Sequence, residues 1–323
     1  MTDEDAISSQ TAAVPGPLAG QRLDQALAQM FPQYSRSRLK TWILQGHALV
    51  DGATLRPRHI VHGGEMVQLT PQPEIAVSSE AQAMQLEVAY EDEALLVIDK
   101  PAGLVVHPGA GNMRGTLLNG LLHRLPELEE LPRAGIVHRL DKDTSGLLLV
   151  ARTLQSHTAL TRLLADHAIA RHYLAICNGV LTGGGRIDAP LARHPVDRLR
   201  MSVQERGRRA VTHYKVLQRY AAHTCIAVQL ETGRTHQIRV HFAWRRHPLL
   251  GDPVYGGRLA VPAGAGDELQ ALLRGFRRQA LHAARLEFPH PQDGRRIEVE
   301  AAAPPDFAAL QEALAQHARE TAG

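Results

Sequence analysis

From residue 134 the chain reads Ala134-Gly135-Ile136-Val137-His138-Arg139-Leu140-Asp141-Lys142-Asp143-Thr144-Ser145-Gly146, followed by four apolar residues, Leu147 to Val150. Charges, two hydroxyls and a glycine are wedged between two apolar strand patterns, Ile136-Val137 and Leu147–Val150. Strand ends hold a polar loop rigidly, which suits a reactive side chain that must be accurately placed. A surface turn with an incidental salt bridge fits the same composition, and spacing alone leaves both readings open. Asp141 and Asp143 invite comparison with a glycosidase pair, in which two acids flank one sugar bond. Residues i and i+2 in a tight loop need not face one site, however.

Other clusters suggest other chemistry. With 18 histidines a metal site deserves testing, but His236 and His241 lack the His-Glu-x-x-His form of a zinc helix, and no metal is expected. Gly183-Gly184-Gly185 has no Gly-Lys-Ser/Thr after it and reads as a flexible hairpin tip, not a phosphate loop. Six arginines lie between 193 and 209, at 193, 198, 200, 206, 208 and 209. With aromatics at only 4%, they would hold a polyanion through phosphate contacts more than through stacking. A solvated hairpin is the competing reading for each.

These residues need a frame. Residues 1–20 are small and polar and read as a disordered tail. Leu23, Leu27, Met30 and Phe31 recur at helical spacing up to Pro32. Ser35 or Ser37 can cap a second helix with Leu39, Trp42 and Ile43 on one side, closed by Gly46. Arg36, Arg38 and Lys40 take its polar side, either as a solvated face or as a contact for an anion. Ala48-Leu49-Val50 runs into an Asp51-Gly52 turn, and Val61–Leu69 adds strand around Gly63-Gly64. A module over 21–70 results, with a linker at 71–85 and a larger domain over 86–318. In that domain Leu95–Ile98 is a buried strand broken at Lys100-Pro101, and Thr153 caps a helix carrying Leu160, Leu163 and Leu164. Strands follow near 171–177, 210–219 and 223–231, joined by hairpins and irregular loops. The absence of regular β–helix alternation points to an α+β domain with a mixed, largely antiparallel sheet.

Composition sets outer bounds. The 323 residues suit two domains. The net charge of +3 understates the basic character, because Asp3, Glu4 and Asp5 lie in a tail without Lys or Arg. An isoelectric point near 9.0 fits an anionic partner. Cys177 and Cys225 are too few for a disulfide framework and sit in strand patterns as small buried groups. No leader pattern and no apolar run of about 20 residues is visible, so a cytoplasmic location is expected.

Two resemblances sharpen this reading. Arg22-Leu23-Asp24, Ser35 to Leu39, Gly46-His47, Val50-Asp51-Gly52 and Gly63-Gly64-Glu65 together resemble an S4 RNA-binding domain, whose two helices hold structured RNA. The segment 134–150 is similar, almost residue for residue, to the active-site motif of the RluA family of pseudouridine synthases. Arg171-His172-Tyr173-Leu174-Ala175 and Gly233 to His241 resemble that family's tyrosine strand and basic motif. The blocks Val106 to Asn112, Ser202 to Tyr214 and Gly251 to Gly257 narrow the likeness to its RluD-type branch.

The resemblance implies an enzyme that breaks the uridine N1–C1′ bond, turns the base and joins C5 to C1′. That isomerisation needs no redox change or phosphate donor, and no cofactor is expected. Asp141 is then the catalytic carboxylate, and Asp143 has no catalytic part. A carboxylate in a partly dry pocket needs a cation beside it to stay ionised, which is the role implied for Arg239, expected on a short helix opened by Thr235. Tyr173 would pack on the target base and could relay a proton. Arg139 would assist nucleotide extrusion, with Arg234 and His236 as further RNA contacts. Leu140, Thr144 and Gly146 read as structural. The implied substrate is 23S rRNA or the assembling large ribosomal subunit, at helix 69, taken by a monomer without membrane contact. Two rival readings stand beside it: a non-catalytic ribosome-assembly factor, and a related synthase acting on tRNA or another rRNA site.

Overall fold

The computed structural model describes residues 9–32, 34, 36–71, 80–109, 111–197, 199–321, with the side chains of Ser37 and Arg38 excepted. The chain divides into two compact units, residues 1–78 and 79–323. Most of the expected linker, 72–79, lies outside the described residues.

The smaller unit contains β1 (Gln10–Ala13), α1 (Leu23–Met30), α2 (Arg36–Gln45), β2 (Ala48–Val50), β3 (Ala53–Thr54) and β4 (Met66–Leu69). Its antiparallel sheet has the order β1-β4-β2-β3. The apolar stripes predicted for both helices meet over that sheet: Leu23, Leu27, Leu39, Trp42, Ile43, Val50, Val67 and Leu69 are buried together. Gly46 ends α2 at φ +80°, and Asp51 and Gly52 turn the hairpin at φ +48° and +79°. The first residues depart from the expected disordered tail. Gln10–Ala13 pair with Met66–Leu69, and Val14 and Leu18 are buried. The polar composition of this segment hid a strand held by backbone pairing, with two apolar anchors behind it. Residues 1–8 lie outside the described part.

The larger unit contains β5 (Glu87–Glu91), β6 (Leu95–Lys100), α3 (Leu117–Arg124), β7 (Ser145–Ala151), α4 (Leu154–Ala165), β8 (Ala170–Asn178), β9 (Gly185–Asp188), β10 (Leu191–Arg193) and β11 (Met201–Val203). These are followed by β12 (Val211–Arg219), β13 (His223–Leu230), α5 (Gln237–Trp244), α6 (Asp267–Gly275), β14 (Leu281–Pro289), β15 (Arg296–Glu300) and α7 (Pro305–Thr321). Among the described residues nine strands form one sheet in the order β5-β6-β7-β14-β8-β13-β12-β9, with β15 also paired to β14. Among the described residues only β7 and β14 pair in parallel, so the α+β class with a largely antiparallel sheet holds. Ile136-Val137 is not a strand; Ile136 makes one isolated bridge to Val150.

Helices and loops cover both faces of this sheet. One face buries Leu96, Ile98, Leu148, Val150, Ala175 and Ile226 with α3 and Phe242 of α5, and the other buries Leu95, Leu147 and Leu149 with Leu160 of α4. β7 is buried along its whole length, which explains its unbroken apolar run. Both cysteines are free and buried. Among the described residues no helix is long and apolar enough to cross a membrane.

Candidate active site

Asp141 lies in the turn that enters β7, where the Thr144 N–H closes onto the Asp141 carbonyl at 3.1 Å. Three features fix this turn. Lys100, at the end of β6, is fully buried and donates from Nζ to the carbonyls of Pro101, Leu104 and Lys142 at 2.8, 3.0 and 2.9 Å. One ammonium thus ties the loop after β6 to the loop of Asp141, and burial lowers its pKa to about 8. Gly146 sits at φ +106°, where a Cβ would stand 2.2 Å from the Ala283 carbonyl of β14. Thr144 is buried and accepts from Gln279 Nε2 at 3.0 Å, while Leu140 joins the core. The structural parts expected for Leu140, Thr144 and Gly146 agree with these contacts.

Arg239 on α5 reaches this turn across 98 residues of chain. Its Nη1 donates to Asp141 Oδ2 at 2.9 Å, while Nε and Nη2 grip Asp252 Oδ2 and Oδ1 at 2.7 and 2.9 Å. Asp252 also accepts the N–H groups of Val254 and Tyr255, both at 2.9 Å. Burial opposes Arg239's charge, but the two carboxylates outweigh it and raise its pKa above the ordinary guanidinium range. Burial likewise pushes Asp252 up, and the Arg239 and backbone hydrogen bonds reverse that to a lowered value. The result is an Asp–Arg–Asp chain in which the buried Asp252 orients the guanidinium and Asp141, its side chain 16% exposed, stays open to a ligand. Nothing in the sequence around Asp252 marks this part, because a lone acid before a proline carries no local sign of a partner 13 residues back.

The helix of Arg239 starts later than expected. Gln237, not Thr235, opens it, and the preceding residue, His236, stands in the left-handed region at φ +57°. Gln237 Oε1 accepts the Arg234 N–H at 3.0 Å and the Thr232 hydroxyl at 2.8 Å, which ties the segment before the helix to its first residue; no side chain caps the helix start itself. His236 turns inward, with Nδ1 2.8 Å from the Tyr255 hydroxyl and Nε2 3.8 Å from Asp141 Oδ1. His241 is buried between the Thr212 hydroxyl and the Ala189 carbonyl, a core histidine. Among the described residues no group of three His, Cys, Asp or Glu could hold a metal.

Tyr173 lies in the middle of β8, paired with Ala283 on one side and Val228 on the other, and is 6% exposed. Burial raises the pKa of its phenol; Arg171 opposes this and the charge of Asp141 adds to it, so the hydroxyl is neutral at physiological pH. Arg139 is exposed beside Asp141. Arg234 is half-buried, its Nε donating to the Arg209 carbonyl at 3.2 Å. Asp141, Arg239 and His236 are therefore brought together, with Tyr173 near enough to feel Asp141.

In the smaller unit Lys40 is exposed, but Arg36 is not simply solvated. Its Nη2 is 2.7 Å from the buried carboxylate of Asp24, which Arg22 also holds at 3.0 Å. The side chain of Arg38 lies outside the described residues. Gly184 and Gly185 are not a free tip: Gly185 opens β9 and a Cβ on Gly184 would stand 2.7 Å from the Tyr214 carbonyl.

A buried arginine shared by two carboxylates, one of them partly exposed, thus stands at the turn that enters β7. The chain belongs to the RNA pseudouridylate synthase family. That family's sequence profile matches residues 94–244, and an S4 domain profile matches residues 21–67. A protein of Xanthomonas campestris pv. campestris named ribosomal large subunit pseudouridine synthase D is 55% identical over 95% of this chain and 93% of its own length. A Pseudomonas aeruginosa protein of the same name is also 55% identical, over 94% of this chain and 95% of its own. The solved structure of human RNA pseudouridylate synthase domain containing 4 shares 25% identity, covers 71% of this chain and 93% of its own, and aligns with a TM-score of 0.55.

Proposed function

We propose that this protein converts uridine to pseudouridine in 23S rRNA of the large ribosomal subunit, at the helix 69 stem-loop, with Asp141 as the reacting carboxylate. The observation that carries the reading is the Arg239 bridge, which orients the Asp141 carboxylate while leaving it partly exposed. Asp141 acts at the sugar, either by adding to C1′ or by taking the C2′ proton. Addition to C1′ expels uracil through N1 and leaves an ester whose C1′–O bond breaks as C5 joins C1′; removal of the C2′ proton expels uracil to leave a glycal, and that proton returns to C2′ as C5 joins C1′. In both routes the base turns between the steps, C5 loses its proton and N1 gains one.

Tyr173 supplies a flat neutral face for the splayed base, as aromatic rings do without sequence preference. Arg139, Arg234 and the exposed edge of His236 meet the displaced nucleotide, whose extrusion costs a few kcal/mol. The 21–70 module holds structured RNA through Lys40, Arg36 and Arg38, while 86–318 carries the chemistry. The enzyme works as a cytoplasmic monomer.

The test offers the protein a helix 69 stem-loop, other 23S rRNA fragments and a tRNA, and maps pseudouridine by carbodiimide adducts that stop reverse transcription. New stops in helix 69 alone support the full reading. Stops confined to tRNA or to another fragment would refute the substrate, and binding without stops on any RNA would favour an assembly factor.

A further inference from the structure

Tyr255 sits at a junction that the carboxylate–arginine pairing does not use. It is 8% exposed, and its hydroxyl accepts the Met201 N–H at 2.8 Å. Both the Arg239 and Arg200 guanidinium groups lie over its ring, at 5.1 and 5.2 Å from the centroid, which fixes the ring between β11 and α5. A phenol has one proton to give. Among the described residues the only partner left for it is His236 Nδ1, 2.8 Å away. Were Nδ1 to carry a proton, two donors would face the phenol oxygen and its own buried O–H would have no acceptor, a cost of about 1–3 kcal/mol.

Nδ1 is therefore an acceptor, and the neutral ring carries its proton on Nε2. Burial, with Arg239 and Arg139 opposing the pull of Asp141 and Asp252, holds His236 below the ordinary histidine range, so the ring is neutral at physiological pH. Nε2 points at Asp141 Oδ1 from 3.8 Å, whereas Arg239 holds Oδ2. His236 is also kept at φ +57°, a conformation that costs a non-glycine residue about 1 kcal/mol and persists only where the surroundings impose it.

We propose that His236 is the second hydrogen-bond donor to the catalytic carboxylate, serving Oδ1 through Nε2–H, and that Tyr255 is the positioning residue that locks the ring in that tautomer. The 3.8 Å separation exceeds a hydrogen bond by under an ångström, a gap of the kind that closes when a ligand tightens an open site. A neutral donor orients the carboxylate without neutralising it, which a protonated imidazole would not do. The catalytic part of this proposal rests on Asp141 being the reacting group; the tautomer does not.

The test is long-range proton–nitrogen NMR on full-length protein labelled with 15N-histidine, with His236 assigned by its absence in His236→Gln. Wild type should show an unprotonated Nδ1 and a protonated Nε2 at neutral pH. Tyr255→Phe should mix the two tautomers and lower kcat on the rRNA substrate about tenfold, leaving KM within about twofold. A wild-type His236 protonated at Nδ1, or at both nitrogens, overturns the proposal. So does a Tyr255→Phe protein with unchanged spectrum and unchanged kcat. If that variant does not fold, the wild-type spectrum decides alone. An active Asp141→Asn enzyme would remove the carboxylate reading while leaving the tautomer result in place.

Discussion

Replacing Asp252 by Asn changes one atom at the hinge of the site, and the consequence follows from its contacts. The asparagine carbonyl can stand where Oδ1 stands and keep the Val254 and Tyr255 N–H groups and Arg239 Nη2. The amide nitrogen then replaces Oδ2 and faces Arg239 Nε, donor against donor, where a 2.7 Å charge-assisted bond existed. Loss of such a bond costs about 1.5–3 kcal/mol, and a buried N–H without an acceptor adds to it. Breaking a buried pair outright costs about 3–5 kcal/mol. Because Asp141 still compensates the guanidinium, the lower end applies, and about 3 kcal/mol of stability should be lost. The guanidinium, no longer gripped at two points, shifts toward Asp141. A displacement near 1 Å at a reacting group costs on the order of 10²-fold, so kcat should fall by that factor while KM moves little. Urea denaturation and single-turnover kinetics on a 23S rRNA fragment read the two effects. An Asp252→Asn protein within about 0.5 kcal/mol of wild type and with kcat within about twofold would refute the reasoning, since surface changes without partners have effects of that size.

Four further outcomes follow from the same contacts. Asp143→Asn should leave turnover within about threefold, because no hydrogen bond ties its carboxylate to Arg239; a fall as deep as that of Asp141→Asn would revive a two-carboxylate mechanism. Tyr173→Phe keeps the aromatic face and removes the phenol, so RNA affinity should hold within about twofold, and any loss of kcat measures proton relay by the hydroxyl; a tenfold weaker affinity would contradict the packing role. Lys40→Ala should lower the salt slope of RNA binding by about one unit, as loss of one phosphate contact does, and an unchanged slope would remove Lys40 from the interface. His138 accepts the Leu149 N–H through Nε2, and burial holds its pKa down at about 3. The unfolded chain, with its histidine near 6.5, then binds the extra proton first, so this contribution is present above pH 6.5 and lost as pH falls toward 3. At pH 5 wild type should have lost about 2 kcal/mol relative to His138→Gln, read as the difference between their denaturation curves; a pH-independent difference would contradict it.

How far the sequence reveals this molecule depends on the range of the interactions involved. The Asp141 loop is legible because its charges interrupt two apolar runs, and the caps at Thr153 and Gly46 are legible because they act within one turn. Cys177 and Cys225 read as buried because their neighbours alternate as strands do. The strand Gln10–Ala13 is invisible locally, since its pairing with Met66–Leu69 depends on backbone groups more than fifty residues away. The same holds for Asp252, whose importance comes only from the fold that lays it along Arg239. Lys100 reads in sequence as the residue that breaks a strand; its three carbonyl acceptors come from two loops that the sheet brings together. The helix of Arg239 begins directly after a left-handed histidine, and the hydroxyl of Thr235 could not reveal that the start would fall at Gln237 without a side-chain cap.

The most direct test of the central claim is release of tritium from 23S rRNA fragments labelled at uracil C5, comparing wild type with Asp141→Asn. C5 loses its hydrogen only when it becomes the glycosidic carbon, so the readout is the isomerisation itself. Wild type should release tritium from a helix 69 fragment and Asp141→Asn should release none while binding the RNA with similar, salt-sensitive affinity. Release by Asp141→Asn at the wild-type rate, or no release by wild type from any fragment or from whole 23S rRNA, would contradict the assignment of Asp141 as the reacting carboxylate of a pseudouridine synthase.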